Sequence, residues 1–163
     1  MASWSAFAAA APSLATSIRS ALYQYGPGLG YLATVRPDGG PRLHPVSPAV
    51  VHGGLYCVLL DTPKRRDLER DGRYALHAFP GDDDDEACLQ GFATPVVDPG
   101  EVLRIGRAIR ADDHVNWWLY ELNVESAMFA HRGPSSQPEI VSYQFWIDPE
   151  VARHLRGRAR LGH

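Results

Sequence analysis

The stretch from Gly28 to Phe79 changes its hydrophobic period once, and that change limits what the chain can become. Gly30 to Val35 is a short apolar run rich in strand formers, and Arg42 to Ser47 is a return strand. Pro37, Asp38, Gly39 and Gly40 make the turn between them, because Pro fixes φ and Gly accepts positive φ. Val50 and Val51 lead to a second turn at His52, Gly53 and Gly54, and Leu55 to Leu60 is the next strand. Runs this short, separated by such turns, are expected to pair as a sheet meander. Then the alternation stops. Thr62 can cap a helix and Pro63 suits its first position. Leu68 is the first large apolar residue, set among Lys64, Arg65, Arg66, Asp67, Glu69 and Arg70, so the helix is short with a solvated face. Asp71 and Gly72 end it, and Tyr74 to Phe79 returns to strand.

The start of that helix gathers Lys64, Arg65 and Arg66 beside backbone N–H groups that have no partner within the helix. Such a place can seat a phosphate. The alternative is a solvated helix on the outside of a barrel.

The 163 residues fit one domain, 1–163, with a core of its own. Hydrophobic residues at 45% and charged residues at 21% describe a globular chain. Sixteen basic against 19 acidic residues give a formal charge of -3, no electrostatic footing for a nucleic-acid partner. Cys57 and Cys88 both lie in apolar strand-like runs and read as buried thiols. No CxxC or HExxH is present, and no metal site is expected. No run is long enough to span a membrane. The N-terminal apolar segment has no basic residues before it, so it does not read as a signal peptide, and the expected location is cytoplasmic.

Pro12 is expected to separate a loose start from a helix over 13–25, in which Leu14, Ile18 and Leu22 form one apolar stripe. After Phe79, the acidic run from Asp82 to Glu86 reads as a solvated loop; it lacks the inner glycine and late glutamate of a calcium loop. Gly91 inside the apolar run from Ala87 to Val97 suggests a bulge or a close backbone approach. Val102, Ile105 and Ile109 fall at helical spacing. Of Trp117 and Trp118, one can face a ligand or partner, or both can be core. Leu119 to Ala130 and Ile140 to Ile147 read as strands, with a loop from His131 to Pro138 between them. The tail over 148–163 holds Arg153, Arg156, Arg158 and Arg160 and can form a short helix from Pro149. Six or so antiparallel strands with short turns should curl into a small, mainly β barrel of Greek-key type, flanked by a few short helices.

Three segments carry a likeness: LATVRPDGGPRLHPVSPAV, LYCVLLDTPKRRDLERDGRYAL and LQGFATPV. Together they resemble the pyridoxamine 5'-phosphate oxidase-like split β-barrel superfamily, over a core of about 28–147. The resemblance implies an FMN-binding oxidoreductase that works as a homodimer on a small-molecule substrate, with a cofactor cleft between subunits. It places the flavin ring and ribityl chain along His44, Pro45, Val46 and Ser47, and the phosphate at Lys64, with Thr62 as the small hydroxyl position. Arg42 lies two residues from His44 on the same strand face and can reach the same anion. Val58, Arg65 and Trp118 complete the expected cofactor set, and His44 is the candidate catalytic group, with a plain hydrogen-bonding strand residue as its alternative.

Two departures narrow the activity. Glu86 stands where the oxidases place a glutamine, and no C-terminal arginine–histidine substrate motif is evident. Pyridoxamine phosphate is therefore not the expected substrate. One alternative is a reductase of the same fold using the deazaflavin F420, whose acidic tail would call on Arg104, Arg107, Arg110 or the tail arginines. The other is a non-catalytic flavin- or haem-binding protein, with His44, His77, His114 or His131 as axial ligand.

Overall fold

The structure, a computed structural model, describes residues 1–82, 85–112, 114–132 and 140–161. Eight strands and five helices form among the described residues. Strands β1 (Gly30–Val35) and β2 (Pro41–Val46) make the first hairpin, with Gly30 opposite Val46 and Val35 opposite Pro41. Strands β3 (Pro48–Val51) and β4 (Gly54–Leu59) make the second. Its turn residues His52 and Gly53 have φ of 48° and 79°, the left-handed pair that suits a two-residue turn between twisted strands. Then come β5 (Arg73–Ala78), β6 (Glu86–Pro95), β7 (Trp118–Arg132) and β8 (Ile140–Ile147).

The two hairpins do not join into the expected meander. The sheet runs β2-β1-β5-β6-β7-β4-β3, with β8 on β7, and every pairing is antiparallel. β2 and β3 are the two ends of that path, although only Ser47 separates them in the chain. Pro41, Pro45 and Pro48 have no N–H to give a ladder, which suits strands at sheet ends. Crossing from one end to the other through a single residue draws the sheet round into a barrel and leaves it open at the crossing. The split β-barrel with short helices is as expected. It has eight strands instead of six or so, because the four-residue β3 reads as part of the turn that follows it.

β7 carries the split. One edge pairs with β6; the other is shared by β4 from Trp118 to Glu121, a bridge to Ala2 at Val124, and β8 from Ser126 to Arg132. At Gly91 both sequence alternatives hold. The register shifts between Gln90 and Gly91, and a Cβ there would lie 1.9 Å from the Asn123 carbonyl oxygen.

Helices α1 (Trp4–Ala10) and α2 (Pro12–Tyr23) close the barrel. The start of the chain is helical, contrary to the loose segment expected. Ser3 Oγ accepts from the Ala6 N–H at 3.3 Å, and Trp4 and Phe7, one turn apart, are buried. They meet Leu14, Ile18 and Leu22 of α2 and the inward leucines Leu32, Leu55, Leu76, Leu89 and Leu122 in one core. Helix α3 (Pro63–Arg70) packs against β1, α4 (Pro99–Ile109) covers Tyr56 and Leu119 through Ile105, and α5 (Pro149–Leu161) ends the chain. No described helix is long and apolar enough to cross a membrane. Two aspartates of the acidic run, and the expected loop up to residue 138 beyond Arg132, lie outside the described residues.

Candidate cofactor site

Strand alternation decides which expected residues share a face. On β2, Leu43, Pro45 and Ser47 lie on the exposed side, while Arg42, His44 and the buried Val46 lie on the side that meets α3 and the core. Arg42 stands opposite Thr34 on β1, and His44 opposite Leu32.

A buried carboxylate that the sequence reading put on a solvated face fixes this corner. Asp67 of α3 is 2% exposed. Its Oδ2 accepts from Arg42 Nε at 2.7 Å and from Thr34 Oγ1 at 3.0 Å, and its Oδ1 faces Arg70 Nη1 at 3.4 Å. Burial pushes the Asp67 carboxyl up, but hydrogen bonds from Arg42 and Thr34, with the Arg42 charge, outweigh it and hold it below the usual carboxylate value. One sign of this pair was present in the sequence: Thr34 shares the inward face of β1 with Leu32, and a buried hydroxyl needs a partner.

Beside this pair lie His44 and Lys64. His44 Nε2 is buried and has no hydrogen-bond partner among the described residues. Burial, then the charges of Lys64 and Arg42, lower its pKa, so the imidazole is neutral at pH 7. Lys64 makes no side-chain hydrogen bond or ion pair among the described residues. At the start of α3, Pro63 has no N–H, and the Arg65 and Arg66 N–H groups turn to Thr62 O at 3.1 and 3.3 Å. The Lys64 N–H has no backbone partner among the described residues. The Thr62 hydroxyl donates to Leu60 O at 3.2 Å and leaves the helix start uncapped.

The remaining expected residues are distributed elsewhere. Arg65 is committed to Asp61 at 3.0 Å and to Glu69, and its guanidinium stacks 4.3 Å from the Trp118 ring centroid. Trp118 itself is 38% exposed. Trp117 instead packs on Gly106 of α4, where a Cβ would come within 2.9 Å of its ring. Val58 faces α4 with Tyr56 and Leu119, away from His44 and Lys64. Glu86 is tied to Arg132. Arg104 is held by Glu101 at 2.6 Å, and Arg153 lies near Glu150 at 3.8 Å.

Chemically, the arrangement is an anion shelf. The charges of Lys64 and Arg42 both act on the His44 ring, and the carboxylates near this corner, Asp67 and Asp61, are already paired with arginines. Because β2 ends the sheet path, its outer edge is open beside the shelf. Across the outer sheet face, Leu43, Tyr143 and Phe145 are 63%, 60% and 57% exposed.

No protein-family model matches the chain, and no curated protein matches it in sequence. Solved structures match it in shape. A haem binding protein from Mycobacterium smegmatis superposes with a TM-score of 0.59 at 18% identity, over 80% of this chain and 57% of that one. General stress protein 26 from Bacillus anthracis gives 0.57 at 18% identity, over 83% and 95%. A protein from Clostridium acetobutylicum, related to that stress protein and of the pyridoxinephosphate oxidase family, gives 0.55 at 10% identity, over 82% and 98%. Identities this low speak for architecture, and the names of these proteins record different roles. The fold of this chain is a split β-barrel, the architecture it shares with these structures.

Proposed function

We propose that the chain is a cytoplasmic, homodimeric FMN-binding oxidoreductase acting on a small-molecule substrate. The observation that carries this reading is a set of donors without protein partners among the described residues: Lys64 Nζ and N–H at the start of α3, with the Arg42 amino groups on β2. A flavin phosphate carries about two negative charges and favours several charge-assisted donors together. His44 lies beside these donors, so this reading gives it cofactor binding in place of catalysis. Trp118 offers an aromatic wall held by Arg65. Bound flavin supplies hydride transfer through its ring; the protein binds, orients and shields it. The exposed apolar residues on the outer sheet face suit a second copy of the chain, which would turn the open shelf into a cleft.

The test is a visible absorption titration with FMN, F420 and haem added separately. The expected outcome is saturable FMN binding with weaker binding of the other two. Tighter F420 binding would overturn the reading in favour of a deazaflavin reductase, although Arg104, one of the arginines offered for its tail, is already paired. Tight haem binding with none for FMN would make the protein a haem carrier, and His44 Nε2 is too buried to be its ligand without rearrangement.

A further inference from the structure

Arg42 is gripped at one point of its guanidinium. Its Nε donates to Asp67 Oδ2, and neither terminal amino group has a hydrogen-bond partner among the described residues. The grip is firm: the Asp67 side chain is 3% exposed, and Thr34 donates to the same oxygen from the strand opposite Arg42. Arg42 itself is 27% exposed, so its free end reaches the shelf while its inner side is tied down. The buried end of the pair is the carboxylate, and that is the end that needs full hydrogen bonding. The pair satisfies the carboxylate, with three donors around it, and leaves the arginine half unused.

We propose that Asp67 is a positioning residue for the phosphate end of the cofactor, holding Arg42 side-on so that its two amino groups face the anion beside Lys64 and His44. Thr34 is the second strap on the same carboxylate. The inference rests on the FMN reading above and extends it to two residues that make no contact with the ligand themselves. Arginine is needed here because only its fork can be held at Nε and still present two parallel donors; a lysine has one end to give.

The test compares FMN with riboflavin, which has the same ring and ribityl chain and no phosphate, by quenching of flavin fluorescence. The readout is the ratio of the two dissociation constants, which a merely structural role for Asp67 would leave unchanged. Wild type should prefer FMN. Asp67→Asn should reduce that preference by about tenfold while leaving riboflavin binding as it was. Arg42→Lys, which keeps the charge, should lose as much, and the double variant should lose no more than either alone. If Asp67→Asn does not fold, Arg42→Lys and Thr34→Val decide, with a large and a small loss of preference expected. An unchanged ratio in folded Asp67→Asn, or in Arg42→Lys, overturns the positioning role while leaving the FMN reading in place. A wild-type ratio near one overturns the phosphate seat itself.

Discussion

His44 and Asp67 differ in how visible they were. His44 and Lys64 could be picked out because one lies on a hairpin strand and the other at a helix start, places with known chemistry. Asp67 could not, because it sits in a helix where seven of the eight residues are Pro or charged and local hydropathy does not single it out. Only tertiary packing against Thr34 and Arg42 buries it. Both groups have pKa values lowered in the fold. Each therefore contributes stability that is complete above its unfolded value and lost as pH falls through the folded one. For His44 that loss begins below about pH 6.5, and for Asp67 below about pH 4. Melting temperature against pH should fall in two stages on acidification, and His44→Gln should remove the upper stage. Burial pushes the Cys57 thiol up to about 12, so it should resist a thiol reagent until the protein unfolds.

At the scale of elements, the sequence shows strands, turns and helices well and their partners poorly. β1, β4, α3, the Gly91 bulge and the stripe of α2 lie where period and turn residues put them. The meander failed because propensity says where a strand is and nothing about which strand it meets. Here the prolines of β2 and β3 send both to the sheet ends. Helix α1 was unreadable for a related reason: seven residues cannot hold a helix alone, and it exists because Trp4 and Phe7 fill the barrel. Phe7→Ala should cost about 3–5 kcal/mol in denaturant unfolding, the usual loss for a buried phenylalanine. Gly91→Val should also destabilise strongly, since its Cβ would run into the Asn123 carbonyl. A cost under about 1 kcal/mol for Phe7→Ala would mean that α1 is an ornament on a barrel already closed.

For the molecule as a whole, two surfaces among the described residues bear on the proposed function. One is the outer sheet face around Tyr143 and Phe145; the other is the shelf at α3. In the homodimer proposed above, a second copy would cover the first and bear on the second. Phe145→Asp should shift the protein to monomer in sedimentation velocity and weaken FMN binding with it; a dimer that persists would place the interface elsewhere. The most direct measurement is calorimetric titration of FMN into wild type and Lys64→Glu side by side. Lys64 has no structural partner among the described residues to lose, so the variant should fold normally. It should bind FMN at least about a hundredfold more weakly than wild type. Equal affinity in the two proteins would contradict the account, because the cofactor's phosphate would then lie somewhere other than the start of α3.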